Sequence, residues 1–559
     1  MLYSQLFGKT IKEIAHSQGG ECYNLLHRGG FVRQLSQGLY SFLPLGMRVQ
    51  KKIESIIREE MENLNGQEVL VPLVNPYELW RRGGRSELLR RSMIRFRDRS
   101  GKELVLSPSH EEAMVELIRI GLNSYRDLPV LLYQFQLKFR DEEKVRLGPV
   151  RAKEFVMKDA YSFHRSASDL NNFFPKIFTC YEHIFRRFGL ETIASESGVG
   201  FMGGERAYEF HIETDIGDDT VLSCPTCGYC ANQDVATAIK EELSETLLPL
   251  ETIRTDQCTT MEKLSEFLNV PKRRLVKSMI YHSSKGFVMA VVRGDYSISR
   301  EKLSSLLGTP VVDLASVAEL ELRGIDPAYV SPLSVPDDFI MVVDDTVANS
   351  NNLVMAAGEP GKHLINVNYG RDFECMIEGD IVQVMGDHLC LQCGKPLEEI
   401  RTLELGNIFK LGDFYTKSLD LTYQNEKGAW SHPYMGSYGI GMGRLFVAVA
   451  EKNRDAKGLV WPAEIAPFKF FLMGIGKKDT VKNKVFELYE QLGPGNVLLD
   501  DRIESVGKKF RDADLLGIPY RIIVSSRHLD RGEVEFFERK TGVKWQVTLE
   551  KAVEVAEAL

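Results

Sequence analysis

LYQFQLKFR, residues 132–140, alternates without a break: Tyr133, Phe135, Leu137 and Phe139 are separated by Gln134, Gln136, Lys138 and Arg140. A period of two with one polar face is the pattern of an antiparallel strand that backs onto a core and faces a site. The turn-rich stretch 144–150, with Gly148-Pro149, leads into a second strand over 151–161, so the spacing predicts a long hairpin. Arg140 and Glu142 fall on the polar face of the first arm, and Arg151, Phe155, Met157, Asp159 and Tyr161 share one face of the second. Two guanidinium forks for phosphate oxygens and a ring to stack on a base suit a nucleotide. A salt-bridged sheet surface accounts for the same pattern.

Upstream, Val49, Ile53, Ile56, Ile57 and Met61 recur at helical spacing and predict a helix over 45–64. Downstream the character changes at Cys224. From there to about residue 395 the chain carries its own strands and helices, including strands at 286–293 and 339–344, and reads as an inserted domain. Residues 396–463 return to the character of the first part. After Pro462 and Pro467 the pattern becomes α/β: strand 468–475, helix 480–492, strand 496–500, helix 506–516, strand 520–525. The expected division is 1–223, 224–395, 396–463 and 464–559.

A chain of 559 residues is too long for one core and suggests about three to five domains. Apolar residues at 43% and charged residues at 26% exclude a disordered or collagen-like chain. No apolar run approaches the roughly 18–20 residues of a membrane span, and the first twenty residues lack a secretory pattern. The cytosol is the expected location, with no membrane partner. The net charge of -8 means that a polyanionic partner must be met by local basic patches. Cys224-x-x-Cys227 and Cys390-x-x-Cys393 bracket the insertion, and four thiolates suit a structural tetrahedral Zn²⁺ that would clamp its incoming and outgoing strands. Cys230 is a substitute ligand, and four reduced, metal-free cysteines are the other reading.

GSYGIGMGR, residues 436–444, runs into an apolar helix over 445–450. The glycines let another group approach the backbone, and Arg444 at a helix start favours phosphate. No Gly-Lys-Ser/Thr follows, so this is not a P-loop, and the dinucleotide fingerprint is absent too. A tightly packed strand–helix junction is the plain alternative.

Together these segments resemble the class II aminoacyl-tRNA synthetases: 139–142 (FRDE) resembles motif 2, 439–444 motif 3, and Gly66-Gln67-Glu68-Val69 with Pro72 motif 1, which implies a homodimer. More narrowly, LSPSHEE (106–112), EFVMKDAYSF (154–163), GSYGIG (436–441) and DDR…DADLLGIPYRIIV (500–524) resemble the bacterial-type prolyl-tRNA synthetase family nearly end to end. The resemblance implies an α+β multidomain protein: an antiparallel-sheet catalytic core, an inserted α/β editing-type domain and a C-terminal α/β anticodon-binding domain. It implies ATP with Mg²⁺, L-proline and tRNA(Pro) as reactants. A related class II enzyme, such as the threonyl one, is disfavoured by EFVMKDAYSF and the insertion. A catalytically dead tRNA-binding paralogue should have lost Arg140 or Arg444, and both are present.

The same resemblance assigns roles. Arg140 would hold the α-phosphate, Arg444 the γ-phosphate and Glu142 the adenine amino group, with Phe155 stacked on the ring. Arg151, Glu404, Asn407 and Gly441 complete the nucleotide set. Glu111 would pair with the proline ammonium beside Ser109, with Arg140, Met157, Asp159, Tyr161 and Ser437 around it. The family often has threonine at the Ser109 position, cysteine at Ser437, and Arg-Gly-Arg-Glu-Phe where this chain reads Arg-Ala-Lys-Glu-Phe. Ser109 also reads as a helix cap ahead of Glu111 and Glu112. A proline pocket rejects the smaller alanine by only about 1–3 kcal/mol, which makes editing a physical remedy. Lys277, Asp345 and His363 match editing positions, while the family's Gly-x-x-x-Pro loop here begins with Ala328 and ends at Pro332. For tRNA, Arg502, Lys508, Lys509 and Arg521 in the last domain, and the run Arg81, Arg82, Arg85, Arg90 and Arg91 near the acceptor stem, are the candidate contacts. Merely solvated basic faces are the alternative.

Overall fold

The computed structural model describes residues 1–13, 20–86, 89, 92–309 and 311–559. Its contacts divide the chain into two compact units: 1–193, 210–216 and 403–559 form one, and 194–209 with 217–402 form the other.

The first unit is built on the expected hairpin. Val130–Phe139 and Glu154–His164 pair antiparallel, with Gln134 opposite Asp159, Gln136 opposite Met157 and Lys138 opposite Phe155. The second arm starts at Glu154 rather than at Arg151. Leu147 is left-handed (φ 58°) and leads into a 3-10 turn, Gly148–Val150, whose proline has no N–H to give a ladder. The first arm likewise ends at Phe139, so Arg140 and Glu142 lie just beyond it.

Gln67–Glu68 adds a parallel edge to one side of the hairpin, and Tyr434–Gly441 followed by 406–412, the latter part of the strand Glu398–Gly412, extends the other side antiparallel. The reverse face is sealed by Ala167–Arg187, through Phe174, Ile177, Tyr181 and Phe185. Helix Pro44–Asn63 buries Val49, Ile53, Ile56, Ile57 and Met61, and its proline occupies the first turn, where no N–H is needed.

Still in this unit, the C-terminal α/β domain orders its strands Val497–Asp500, Phe470–Ile475, Tyr520–Ser525, Glu533–Glu538, Lys544–Thr548. The first three are parallel and the last two antiparallel. Helices Asp479–Leu492 and Val506–Leu516 connect the parallel strands.

The second unit has a five-stranded sheet: Val311–Leu314, Val276–Ser283, Gly286–Arg293, Ile340–Asp344 and Ile377–Gly379. A smaller three-stranded sheet, Glu251–Arg254, Lys362–Val367 and Leu353–Ala356, accompanies it. The core between them includes Val276, Val291, Val343, Met355 and Val367.

Candidate active site

Antiparallel partners share a face, so the register lays out the site in rows. Gln134, Asp159, Gly439 and Asn407 form one row across four strands, and Leu132, Tyr161, Ser437 and Phe409 form the next. Gly439 sits at the centre of its row. A methyl group there would stand 3.1 Å from Asn407 Oδ1 and 3.3 Å from Met157 Sδ, so glycine keeps the floor open.

Asp159 is wholly engaged. It accepts hydrogen bonds from Lys138 Nζ (2.7 Å), Gln134 Nε2 (2.8 Å) and Tyr161 Oη (2.7 Å), all in the interior. Burial pushes Lys138 down and Tyr161 up, with the Asp159 charge opposing the first shift and reinforcing the second. Asp159 therefore fixes the floor through its neighbours.

Glu111 opens helix Glu111–Ile118 and is 1% exposed. Its Oε1 accepts from Ser437 Oγ (2.9 Å), and its Oε2 from Arg85 Nη2 (2.9 Å) and the Ser109 hydroxyl. Burial would raise this carboxyl, but Arg85, Ser109 and Ser437 outweigh it and hold it low. Arg85 also forks onto Glu112 (Nε–Oε1 2.9 Å, Nη2–Oε2 2.5 Å) and lies between the rings of Trp80 and Tyr415, at 4.8 and 4.9 Å. Two carboxylates thus share one buried guanidinium. This corrects two expectations. Ser109 is not a helix cap, since His110 holds that position and Ser109 bonds to Glu111. Arg85 is not on a basic surface, because it is fully buried between acids and rings. Arg90 and Arg91 lie outside the described residues, while Arg81 and Arg82 end a surface helix, Tyr77–Arg82.

Beside this buried cluster, the Arg140 guanidinium is 5.4 Å from the Phe155 ring and its Nε donates to Pro108 O (3.2 Å). Burial and the charge of Arg444 both push Arg140 below its ordinary range, so two guanidiniums are held close enough to repel. Arg444, in the first turn of Met442–Lys452, pairs with Glu404 and donates from Nε to Val150 O (3.3 Å). Glu404 in turn accepts from Asn407 Nδ2 (2.9 Å), and Glu142 accepts from Arg151 Nε (3.1 Å). The structure therefore brings together two sets. Arg140, Phe155, Glu404, Asn407, Gly441 and Arg444, with the Glu142–Arg151 pair, form one. Ser109, Glu111, Met157, Asp159, Tyr161 and Ser437 form the other.

Two family profiles match the sequence: the tRNA synthetase class II core domain (G, H, P, S and T) over residues 94–453 and an anticodon-binding domain over 469–559. Curated proline--tRNA ligases of Halothermothrix orenii and Aquifex aeolicus are each 40% identical over 99% of this chain and 98% of their own length. The chain belongs to the proline--tRNA ligase family. A further family member, from Heliobacterium modesticaldum, is 38% identical over the whole chain and 98% of its own length. The fold of this proline--tRNA ligase family member resembles a solved Giardia lamblia prolyl-tRNA synthetase in complex with prolyl-adenylate. The TM-score is 0.57 at 16% identity, covering 95% of this chain and 73% of that one. The α+β architecture, with its antiparallel class II core and C-terminal anticodon-binding domain, is that of the family.

Elsewhere in this proline--tRNA ligase family member, the three residues expected in the insertion each have a different partner. Lys277 Nζ donates to Tyr296 O (2.6 Å), Asp345 pairs with Lys240, and His363 Nδ1 meets Thr255 Oγ1 at 2.5 Å. Burial lowers His363 to about 4 and also lowers Lys277. The neighbouring Asp344, not singled out in the sequence, is the buried carboxylate: it bonds Lys240, the Ile381 N–H and the Thr346 N–H. In the C-terminal domain Arg502 stacks 3.6 Å from the Tyr3 ring and pairs with Asp500 and Asp512. Arg521 is buried between Phe510 and Phe537 and pairs with Asp514. Lys509 is buried against Asp500. Lys509 and Arg521 are thus buried and Arg502 is half-buried, each held by carboxylates of its own domain. Lys508 remains at the surface, paired with Glu504.

Proposed function

We propose that the chain activates L-proline with ATP and transfers it to tRNA(Pro), and that the observation carrying this reading is Glu111. It is a buried carboxylate held ionised by Arg85, Ser109 and Ser437 at the end of the sheet floor. Glu111 and Glu112 share the single Arg85 guanidinium, which leaves room for a second cation, and a secondary ammonium beside Met157 and Tyr161 meets that need.

With the ammonium on Glu111, the proline carboxylate points toward Arg140. An oxygen of that carboxylate attacks the α-phosphorus, the bond from that phosphorus to the bridging oxygen breaks, and pyrophosphate leaves. Arg140 neutralises charge on the α-phosphate and Arg444 on the γ-phosphate, while Phe155 stacks the adenine and Glu142 and Arg151 edge it. Glu404 offers the oxygen donor that suits Mg²⁺, which draws charge from the phosphates when bound. A ribose hydroxyl of the tRNA then attacks the prolyl carbonyl carbon, the bond from that carbon to the phosphate oxygen breaks, and AMP leaves with its electrons while a phosphate oxygen takes the hydroxyl proton. No side-chain nucleophile is required; positioning does the work.

The inserted domain, Lys277, Asp345 and His363 with it, hydrolyses mischarged alanyl-tRNA(Pro). Lys508, Arg81 and Arg82 meet the RNA backbone, two copies associate along the edge strand Gln67–Glu68, beside which Leu70 is exposed, and the enzyme works in the cytoplasm.

The test is ATP–pyrophosphate exchange with proline, alanine, cysteine and threonine. Strong exchange with proline, weak exchange with alanine and none in Arg140→Ala is expected. Normal exchange by Arg140→Ala would sink the assignment. Deacylation of alanyl-tRNA(Pro), lost in Lys277→Ala, tests the editing role, and sedimentation tests the dimer.

A further inference from the structure

Cys224, Cys227, Cys390 and Cys393 place their four Sγ atoms within 4.8 Å of one another, although 163 to 169 residues separate the facing partners. Cys224 Sγ lies 3.4 Å from Cys393 Sγ, and Cys227 Sγ lies 3.6 Å from Cys390 Sγ. Those separations exceed a disulfide bond of about 2.05 Å. They suit a tetrahedron of thiolates about 2.3 Å from a central ion, whose edge is about 3.8 Å.

The two loops are built alike. In each, the N–H of the glycine after the second cysteine donates to the carbonyl of the first: Gly228 to Cys224 (2.9 Å) and Gly394 to Cys390 (2.8 Å). Both glycines are left-handed, at φ 76° and 68°. The N–H of each first cysteine then donates to the carbonyl five residues on, Tyr229 (2.8 Å) and Lys395 (2.7 Å). Each turn therefore lifts both sulfurs to the same side, and the two turns face each other. Cys230, two residues past the glycine, lies outside the cluster on the short strand Cys230–Asn232.

The local core cannot hold this arrangement by burial alone. It comprises Leu222, Cys224, Ala231, Ala236, Ala238, Val384, Cys390 and Leu397, so five of its eight members are alanine or cysteine. Small cores of this kind are held by a staple. The position of the cluster is also telling. Asp219–Ser223 pairs antiparallel with 398–402, Ser223 opposite Glu398, and Ala238–Ile239 pairs with Leu389–Cys390. The cysteines stand where the chain enters and leaves the second unit.

We propose that Cys224, Cys227, Cys390 and Cys393, without Cys230, bind one zinc ion that fastens the neck of the inserted unit. The ion is structural, since four protein thiolates leave no open position for substrate. Binding requires the thiolates, so four thiol protons are released or already absent, and no oxidation is involved.

The experiment uses the full chain purified under reducing conditions without chelator. About one zinc per chain by elemental analysis is expected. It should persist in Cys230→Ser and fall at least tenfold in Cys227→Ser and Cys393→Ser. Cys227→His, which keeps a zinc donor, should retain the ion and guard against mere misfolding. Cobalt added to the metal-stripped full chain should give sulfur-to-cobalt charge transfer and the ligand-field bands of a tetrahedral thiolate site. Hydrogen exchange should then rise in 221–239 and 384–400 on stripping and fall on zinc return. Metal-free protein, iron in place of zinc, a disulfide in the unreduced protein, unchanged zinc in Cys227→Ser, or its loss in Cys230→Ser would each overturn the proposal.

Discussion

Arg85 shows how far a side chain's meaning depends on what it faces. In the sequence it belongs to a basic run. In the fold it is the counter-ion shared by Glu111 and Glu112, wedged between Trp80 and Tyr415. Removing one member of a buried ion network leaves an uncompensated charge and costs about 3–5 kcal/mol. Arg85→Met should therefore lower stability on that scale and raise the proline KM far more than the ATP KM, because Glu111 loses its orientation. Arg85→Lys, which keeps the charge without the fork, should fall between. Equal effects on both substrates would refute a role for Arg85 in positioning Glu111. A second residue-scale expectation concerns His110, which burial, aided by the Lys138 charge, pushes down to about 3. The unfolded chain binds this proton near 6.5 and the folded chain does not, so stability is present above 6.5 and is lost as pH falls toward 3. The loss is about 1.4 kcal/mol per pH unit. Denaturant midpoints between pH 6.5 and 4.5 should fall less steeply in His110→Gln, whose amide can still reach Pro72 O; identical slopes would remove His110 from the account.

At the level of elements, the glycine strand and its helix are coupled to the hairpin turn through Gly443. A Cβ there would stand 2.6 Å from the Pro149 carbonyl oxygen, a backbone atom in the turn that also receives Arg444 through Val150. Gly443→Ala must push the turn and helix apart, at about 1–3 kcal/mol, and should lower ATP-dependent exchange by displacing Arg444. A melting temperature and exchange rate unchanged by Gly443→Ala would show that the turn yields freely. Local pattern made these elements legible. The helix expected over 45–64 runs Pro44–Asn63, and the five C-terminal elements fall within two residues of their expected bounds. The hairpin Glu533–Glu538 and Lys544–Thr548 was missed, because VEFF and WQV are too short and mixed to carry a clear period. At the site, pattern and spacing located Arg140 and Arg444, and the family resemblance located Glu111. The roles of Arg85, Gln134 and Lys138 depend on partners in other segments, which period and spacing do not report. The internal pairing of Arg502 and Arg521 was hidden for the same reason.

On the scale of the molecule, the C-terminal domain belongs to the same compact unit as the class II core. Two arginines fasten it there. Arg48, on the helix Pro44–Asn63, lies 4.0 Å from the Phe468 ring and donates to the carbonyls of Pro467 (2.6 Å) and Gly495 (2.5 Å). Arg539 forks onto Asp455 with both contacts at 2.7 Å, and that bond is the main reason the Asp455 carboxyl is held down at about 2. Charge-assisted bonds fix orientation, and these tie one helix of the core, and the loop at Asp455 after the core, to the last domain. The reaction has one step that needs only the core and one that needs the tRNA held across core and C-terminal domain together. Arg48→Ala and Arg539→Ala should therefore leave proline-dependent pyrophosphate exchange within about twofold of the parent, while tRNA charging loses about tenfold or more in kcat/KM, the equivalent of roughly 1.4 kcal/mol in transition-state binding. The double variant should lose more in charging than either single one while exchange stays put. A parallel loss in both assays would mean that these arginines serve the active site through helix Pro44–Asn63, and that the docking of the last domain is set elsewhere.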